Sequence, residues 1–113
     1  MSKYNSQKYV CDHGHKHDSK REAVRCNELH WAQSVGQISD LEVQKSFELI
    51  PPTKYTRMEN ERGVKYIADF TYYKNGVYVI EDSKGYKTAE YTIKRKLLKR
   101  QYCAGKDAIF IET

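Results

Sequence analysis

The sequence contains no hydrophobic run long enough to span a membrane, and its first residues do not follow the pattern of a signal peptide. Its three cysteines, Cys11, Cys26 and Cys103, are an odd number, which argues against a framework of disulfides. It also has no internal repeat and no linker-like segment. We therefore expect a single cytoplasmic domain over residues 1–113, since this length supports one core but not two.

Negative charge is in deficit, because 20 lysines and arginines stand against 15 aspartates and glutamates, a net charge of +5. The basic residues concentrate in two stretches, residues 16–25 and 84–100, so two faces rather than a tail carry the charge. Ten tyrosines could stack on bases, although tyrosines in strand-like segments, such as Tyr66, Tyr72 and Tyr78, are more often packing residues. This distribution favours a polyanionic partner, with nucleic acid first and a merely soluble basic surface as the alternative.

The spacing of apolar residues predicts a helix, three strands, a second helix and a last strand. Ser19 is a candidate N-cap of the first helix, Glu22 follows three residues later, and Gly36 can end the helix. Residues 8–17 are expected to form a small hairpin. The predicted helices span 19–36 and 88–102, and the predicted strands span 42–50, 64–73, 77–82 and 108–111. This order implies an α/β fold in which a mixed central β-sheet is flanked by helices.

The dipeptide Asn75-Gly76 fixes the register of the hairpin between the second and third strands. It is a usual filling of a two-residue type I′ turn, in which both residues need φ > 0. Counting back from the turn places Asp69 opposite Asp82 on one face, with Cβ atoms about 5 Å apart, and Lys84 follows two residues along. Two carboxylates so placed repel each other unless a hard divalent cation lies between them. The pair therefore predicts a metal-dependent enzyme, and the alternative is two solvated acids at strand ends.

Strict alternation of side chains gives two further expectations for these strands. It places Ile67 and Ile80 beside the two aspartates, which predicts a partly buried setting where an unpaired charge is costly. In the preceding strand it places Val43, Phe47 and Leu49 on one face.

Four segments, in order, resemble the PD-(D/E)XK nuclease superfamily. They read DSKREA at 18–23, YIADF at 66–70, EDSKG at 81–85 and KRKL at 94–97. More narrowly, they are similar to a phage-encoded family of small proteins that is grouped with the resolvase-like endonucleases of that superfamily. The resemblance implies a restriction-endonuclease-like core over residues 18–113, with residues 1–17 as an N-terminal extension. Two positions depart from the superfamily pattern: Ala68 replaces the proline, and Asp82 replaces a longer glutamate, so the metal would sit closer to the strand.

The resemblance also implies roles for individual residues. Asp69 and Asp82 would be ligands of Mg²⁺ or Mn²⁺, with the backbone carbonyl of Ser83 as a third ligand. Lys84 would position the attacking water or help to deprotonate it, and Glu22 would hold a water or a second metal. Phosphodiester hydrolysis needs these residue types, because a cation neutralises the charge growing on the phosphate oxygens and makes a bound water more acidic.

The function that the resemblance implies is hydrolysis of DNA, with branched or junction DNA as the favoured substrate. It also implies a homodimer, since two nicks need two sites, and a phage or prophage protein acting in the cytoplasm of a bacterial host. Two alternatives stay open. The chain could be a nucleic-acid-binding module that keeps the fold but uses no metal, or a nuclease subunit of a larger phage or mobile-element complex.

Glu22 and Lys94 each have a structural explanation beside the functional one. Glu22 completes a capping box with Ser19. Lys94 lies between two apolar flanks of the second helix, where it is either a catalytic phosphate-binding residue or the partner of Glu90. The residues expected to contact the backbone of nucleic acid are Lys20, Arg21, Arg95, Lys96, Lys99 and Arg100.

Cysteines and histidines form a second candidate site near the N-terminus. The residues concerned are Cys11, His13, His15 and His17 in the expected hairpin, and Cys26 and His30 one turn apart on the first helix. Four of these six could make a tetrahedral Zn²⁺ site that ties the hairpin to the helix, drawn from Cys11, His15, His17, Cys26 and His30 in particular. The alternative is a free buried cysteine with exposed histidines.

Overall fold

A computed structural model of the chain describes residues 9–83 and 87–113, so Lys84 lies outside the described residues. The elements in chain order are β1 (Tyr9–Val10), β2 (Lys16–His17), α1 (Lys20–Ser34), β3 (Ser39–Ile50), β4 (Val64–Lys74), β5 (Val77–Asp82), α2 (Ala89–Tyr102) and β6 (Ala108–Glu112). The predicted helices and strands are all present, and their ends differ from the prediction by only a few residues.

The main sheet has four strands in the order β3-β4-β5-β6, and β1 and β2 form a separate two-stranded sheet. Strands β3, β4 and β5 are antiparallel, whereas β5 and β6 are parallel and joined through α2. The predicted α/β fold with a mixed sheet and flanking helices is confirmed. Neither described helix is both long and apolar enough to cross a membrane.

The first helix begins at the predicted cap. Ser19 is extended, with φ −140°, and its Oγ accepts a hydrogen bond from the backbone N–H of Glu22 at 3.1 Å. This bond satisfies one of the free N–H groups of the first turn. Gly36, with φ +81°, follows the other end in the left-handed region that glycine tolerates best. The buried residues of α1 are Glu22, Ala23, Cys26 and Leu29.

The turn between β4 and β5 has the predicted chemistry. Asn75 and Gly76 both have positive φ, at +53° and +80°. The observed pairs are Lys74 with Val77, Tyr73 with Tyr78, Tyr72 with Val79, Thr71 with Ile80 and Phe70 with Glu81. The register that the sequence predicts for these residues is therefore confirmed, and it brings Asp69, in the middle of β4, next to Asp82, the last residue of β5.

The helices cover opposite faces of the sheet. The adjacent β5 residues Val79 and Ile80 point to opposite faces, and Val79 packs in a cluster with Cys26 and Leu29 of α1. Ile80 packs in a second cluster with the residues that α2 contributes, Tyr91 and Leu98. The two helices therefore enclose the middle of the sheet from both sides.

Strand β4 changes face at Asp69. Tyr66 and Ala68 belong to the cluster under α2, whereas Phe70 and Tyr72 belong to the cluster under α1, although all four would share one face of a regular strand. The predicted burial of Ile67 is wrong, since it is 59% exposed. The change of face leaves Asp69 between the two clusters.

Strand β3 changes face at the same level. Phe47 and Leu49 pack under α2, but Val43 packs against the α1 cluster, so the predicted common face of these three residues is wrong. Gln44 lies at the change and has φ +56°, which breaks the regular pleat. Its side-chain amide donates to the carbonyl of Lys16 at 3.0 Å and so ties β3 to β2.

Candidate functional site

Asp69, in the middle of β4, and Asp82, the last residue of β5, form an acid pair in the interior. Asp69 is 9% exposed and Asp82 is fully buried. The backbone N–H of Ser83 donates to Oδ2 of Asp69 at 2.7 Å and to Oδ1 of Asp82 at 3.2 Å. The hydroxyl of Tyr66 donates to Oδ2 of Asp82. The structure therefore brings together Asp69, Asp82 and Ser83, three residues that the sequence singled out, and the two described bonds of Ser83 use its N–H.

The acid pair holds a proton that ordinary aspartates would lose. Burial, followed by the hydrogen bond and the charge of Asp82, raises the pKa of Asp69 to about 9, although the N–H of Ser83 partly opposes this rise. Two buried carboxylates in contact cannot both ionise unless another positive charge replaces the shared proton. A cation with oxygen ligands could take the place of that proton.

This shared proton predicts how stability depends on pH. The folded-state pKa of Asp69 is raised to about 9, above its unfolded value, so the folded state binds more protons between about pH 4 and pH 9. The free energy of unfolding should therefore fall as pH rises through this window in buffer without divalent cations. Thermal unfolding between pH 5 and pH 8 would measure it, with Asp69→Asn as the comparison. A wild-type melting temperature that falls no more than that of Asp69→Asn would contradict the shared proton.

The carboxylate of Glu22 is bonded to a histidine and acts on the acid pair through its charge. Its carboxylate Oε2 accepts a hydrogen bond from Nδ1 of His17 at 2.7 Å, and both side chains are buried. Its backbone N–H makes the predicted cap with Ser19. The negative charge of Glu22 also contributes to the raised pKa of Asp69. Glu22 is thus a cap residue through its backbone and an electrostatic neighbour of the acid pair through its side chain.

Lys94 lies on the opposite side of the acid pair, in a groove beside Tyr66. The groove has a volume of about 370 Å³, and its lining includes Lys65, Thr88 and Tyr91. Lys94 forms the ion pair with Glu90 that was the structural explanation for it, at 3.0 Å. It therefore lines a groove next to Tyr66, whose hydroxyl is bonded to Asp82, while its charge is shared with Glu90.

The predicted nucleic-acid residues lie on both helices and therefore on both sides of the sheet. Lys20, Arg21, Lys96, Lys99 and Arg100 are exposed, as a backbone contact would require. Arg95 is less available, because it lies 3.6 Å from Glu112 and over the ring of Tyr91.

A partly buried ion pair between Arg25 and Glu81, the neighbour of Asp82, was not predicted from the sequence. Glu81 is fully buried and receives Nε of Arg25 at 2.6 Å and Nη2 at 3.0 Å. The hydroxyl of Tyr72 donates to the same carboxylate at 2.7 Å. The available signal was two consecutive acids, Glu81 and Asp82, in an otherwise apolar strand, because alternation sends one of them to each face. The charge of Glu81 is thus neutralised by Arg25 of α1, while Asp82 is part of the acid pair.

We expect Arg25→Met to lower the free energy of unfolding by about 3 kcal/mol, because it leaves the buried charge of Glu81 without its partner. The matched control is Arg21→Met on the same helix, whose side chain makes an exposed bond to the Thr113 carbonyl and no other bond to the described residues. This control should change stability by less than about 0.5 kcal/mol. Urea denaturation of both variants would test the difference, and equal effects would contradict a structural role for the pair.

The second candidate site is the Cys/His group, formed by Cys11, His15, His17 and Cys26. One ligand atom from each lies within 4.8 Å of all the others. Nδ1 of His15 is 3.6 Å from the sulfur of Cys11 and 3.6 Å from that of Cys26. The predicted N-terminal hairpin supplies three of these residues and α1 supplies the fourth. This group could hold a metal ion.

The electrostatics of the Cys/His group suit a metal. Burial raises the pKa of Cys11, but hydrogen bonds from His17, Cys26 and backbone N–H groups outweigh it and leave that pKa at about 6. Burial and the neighbouring Cys11 raise the pKa of Cys26 to about 12. Nε2 of His17 is buried without a hydrogen-bond partner in the part of the chain that the structure describes. A buried nitrogen without a partner is costly, and a metal would supply the partner.

The remaining histidines are not part of this group. The ring of His30 stacks on that of His13 with centroids 3.7 Å apart, and it lies 5.4 Å from the ring of His15. Burial, followed by the charges of the neighbouring histidines, lowers the pKa of His30. Four of the six cysteines and histidines that were candidate ligands therefore form the group.

Comparison with known proteins gives one result. A family model described as "Protein of unknown function (DUF1064)" matches residues 1–112. No curated protein and no solved structure matches the chain.

Proposed function

The chain belongs to the DUF1064 family, whose function is unknown, and from the geometry of its own site we propose that it is a metal-dependent endonuclease that hydrolyses phosphodiester bonds in DNA. The observation that carries this proposal is the acid pair. Two buried carboxylates meet where the end of β5 lies beside the middle of β4, and the pKa of Asp69 is raised to about 9 by burial and by Asp82. Groups with such perturbed protonation are concentrated at functional sites.

The donor set of the acid pair fits a hard cation such as Mg²⁺ or Mn²⁺. Mg²⁺ is usually bound through one or two carboxylates and retains several waters, which suits Asp69 and Asp82. A bound cation would supply charge neutralisation at the phosphate and a more acidic water. The N–H of Ser83 orients Asp69, and the hydroxyl of Tyr66 orients Asp82. Lys84 follows in sequence and, by the resemblance to PD-(D/E)XK nucleases, would act on the attacking water.

The substrate would approach along the groove that contains Lys65 and Lys94, beside Tyr66. The exposed basic residues of α1 and α2 supply further contacts for phosphates on either side of the sheet. Preference for branched or junction DNA, action as a homodimer, and an origin in phage or prophage rest on the resemblance alone. The same holds for a role as a subunit of a larger phage complex.

A nucleic-acid-binding module without catalysis is the second candidate function, and one observation favours it. Asp82 is fully buried and already accepts hydrogen bonds from Tyr66 and Ser83, so the acid pair can be accommodated with a proton and no cation. Such a protein would bind DNA through the same basic residues.

The Cys/His group is best explained by structural Zn²⁺. Two sulfurs and two imidazole nitrogens are a usual tetrahedral zinc set, and the four residues leave no open position for a substrate. Nδ1 of His17 donates to Glu22, which leaves Nε2 for the metal and matches the carboxylate–histidine–zinc arrangement of known sites. The zinc would fasten the N-terminal hairpin to α1.

The purified protein should be incubated with linear duplex, single-stranded, flapped and four-way DNA, with and without Mg²⁺. We expect cleavage of at least one substrate only when Mg²⁺ or Mn²⁺ is present. Binding without cleavage on every substrate, at any concentration of either cation, would overturn the nuclease and leave the binding module.

A further inference from the structure

The connection between β3 and β4, residues 51–63, forms an arm that lies outside the core. None of its residues is buried, and none belongs to either hydrophobic cluster. Connections of this length are uncommon within a compact domain and usually have a function. Because the arm contributes nothing to the core, packing does not explain its composition.

The arm nevertheless has a defined shape. Its two sides pair at Thr53 and Glu61, whose backbone groups exchange hydrogen bonds of 3.0 and 2.9 Å. Near the tip, the side-chain oxygen of Asn60 accepts a hydrogen bond from the backbone N–H of Tyr55 at 3.0 Å. These local bonds give the arm a fixed form without support from the core.

The base of the arm is held by a close approach of its two sides. A Cβ atom on Gly63 would lie 2.7 Å from the carbonyl oxygen of Ile50 and 3.0 Å from Cδ of Pro52. Only glycine fits this position without a shift of the backbone. The direction in which the arm leaves the sheet is therefore set by the chain itself.

The surface of the arm is basic and carries one apolar side chain. Lys54, Arg57 and Arg62 are exposed, outnumber the two glutamates of the arm, and form no ion pair with the residues that the structure describes. Met58 is 66% exposed, more than any other large hydrophobic residue described. One apolar side chain among separate cations is too little for the core of a protein interface. It suits a groove of duplex DNA, where cations bind phosphates and an apolar side chain contacts bases.

The arm leads directly into the strand that carries Asp69. Lys65, the second residue of β4, lines the groove beside Tyr66, whose hydroxyl is bonded to Asp82. The first residue of β4 precedes Asp69 by five positions, roughly 16 Å along an extended strand. One turn of duplex DNA is about 34 Å long. A duplex with a phosphate at the acid pair would therefore reach the arm about half a turn away.

We propose that the arm is a second DNA-binding element, which contacts the duplex about half a turn from the cleaved phosphate. Lys54, Arg57 and Arg62 bind the backbone, and Met58 contacts the bases. This inference rests on the proposed function, because it assumes DNA at the acid pair. Cations far from the cleaved phosphate add affinity without taking part in the reaction, so the arm governs binding and not the chemical step.

Binding of a linear DNA duplex at several salt concentrations, without divalent cations, would test the arm. The arm variant combines Lys54→Gln with Arg57→Gln, and the matched control combines Lys74→Gln with Lys106→Gln. All four residues are exposed, and each variant removes two positive charges. The control residues lie far from the arm, since Lys74 is at the opposite end of β4 and Lys106 precedes β6.

We expect the arm variant to bind at least about tenfold more weakly at low salt. The slope of log affinity against log salt concentration should fall by about two, one for each lost phosphate contact. The control should keep the wild-type slope, because charges that do not touch DNA are screened. With saturating DNA in Mg²⁺, both variants should cleave at the wild-type single-turnover rate.

An iron chelate that cuts DNA close to its point of attachment would locate the arm. It is attached to Met58→Cys and, as the control, to Lys74→Cys. Both are made in a Cys103→Ser background, since Cys11 and Cys26 are buried. From position 58 we expect cuts about half a turn from the site that the wild type cleaves in Mg²⁺. Cuts from position 58 that are no stronger than those from position 74 would overturn the proposal.

The outcomes separate the arm from the function on which it rests. If the wild type neither binds nor cleaves DNA, the proposed function fails and the arm loses its partner. If the wild type binds DNA and the arm variant weakens binding no more than the control, only the arm is overturned. Unchanged DNA binding with a loss of self-association in sedimentation would make the arm a contact between copies of the chain and would also overturn the proposal.

Discussion

Asp82→Asn is expected to lower the rate of DNA cleavage by about a thousandfold or more, because charge stabilisation by a bound cation accounts for several kcal/mol of the barrier. Asp69→Asn should have a similar effect. Both variants keep the shape of the side chain and its hydrogen bond to the N–H of Ser83. The new amide can donate to the remaining carboxylate and so replaces a repulsion. We therefore expect both proteins to remain folded and to bind DNA as wild type does.

Single-turnover cleavage in Mg²⁺ would measure the rate, and circular dichroism and DNA binding without divalent cations would measure fold and affinity. Asp107→Asn is the matched control, because this exposed acid precedes β6 at the end where Ala108 pairs with Tyr78, away from Asp82. It should cleave at the wild-type rate. Full activity in Asp82→Asn would remove the acid pair from the mechanism, and unfolding of both Asn variants would make the carboxylates structural.

The hairpin that carries the acid pair could be predicted because its determinants are local. Asn75 and Gly76 need positive φ, and this fixes a two-residue turn and with it the five observed pairs of residues. The cap at Ser19 was equally accessible, since donor and acceptor lie three residues apart. The strand pairing follows from a two-residue turn, and the two bonded residues of the cap are three positions apart. Local propensity and spacing are therefore sufficient to predict both features.

The surroundings of the acid pair could not be predicted in the same way. The side chains of β3 and β4 change face at Gln44 and Asp69, and this change depends on how two helices cover opposite sides of the sheet. A prediction that assumes strict alternation of side chains cannot include it. The pair of Arg25 and Glu81 joins residues 56 positions apart, beyond any periodic pattern. Glu22 already had two explanations in the sequence, and only the packing of the hairpin on α1 reveals His17 as the partner of its carboxylate.

The sequence also could not determine which residues form the Cys/His group. The sequence offered six ligands, and their spacing matched no standard zinc motif. Tertiary packing selects Cys11, His15, His17 and Cys26, while His30 stacks on His13. The sequence could predict a zinc site, because cysteine and histidine are the ligands that zinc prefers. It could not predict which four of the six residues form the group.

Cys26→Ser is expected to lower the melting temperature by at least about 10 °C, because a domain of this size loses roughly 4 °C per kcal/mol and the loss of a zinc ligand should cost several kcal/mol. Cys26 is completely buried in the α1 cluster and offers one of the four ligand atoms. Protein purified without a histidine tag should contain about one zinc per chain that survives dialysis against Mg²⁺ buffer. Treatment with a strong chelator should destabilise wild type to a similar extent.

The matched control is Cys103→Ser, since Cys103 is free, only partly buried, and packs against the cluster under α2 on the other face of the sheet. This variant should retain its zinc and lose much less stability than Cys26→Ser. Elemental analysis and thermal melts of the three proteins decide the question, with Co²⁺ substitution as a further check, because visible absorption bands of tetrahedral cobalt would report two sulfur ligands directly. A wild-type protein without zinc, in which Cys11 and Cys26 react freely with thiol reagents in the native state, would show that the group is a cysteine pair beside histidines that bind no metal. Nε2 of His17, which has no hydrogen-bond partner among the described residues, would then require another partner. A buried imidazole nitrogen without a hydrogen bond costs free energy of folding.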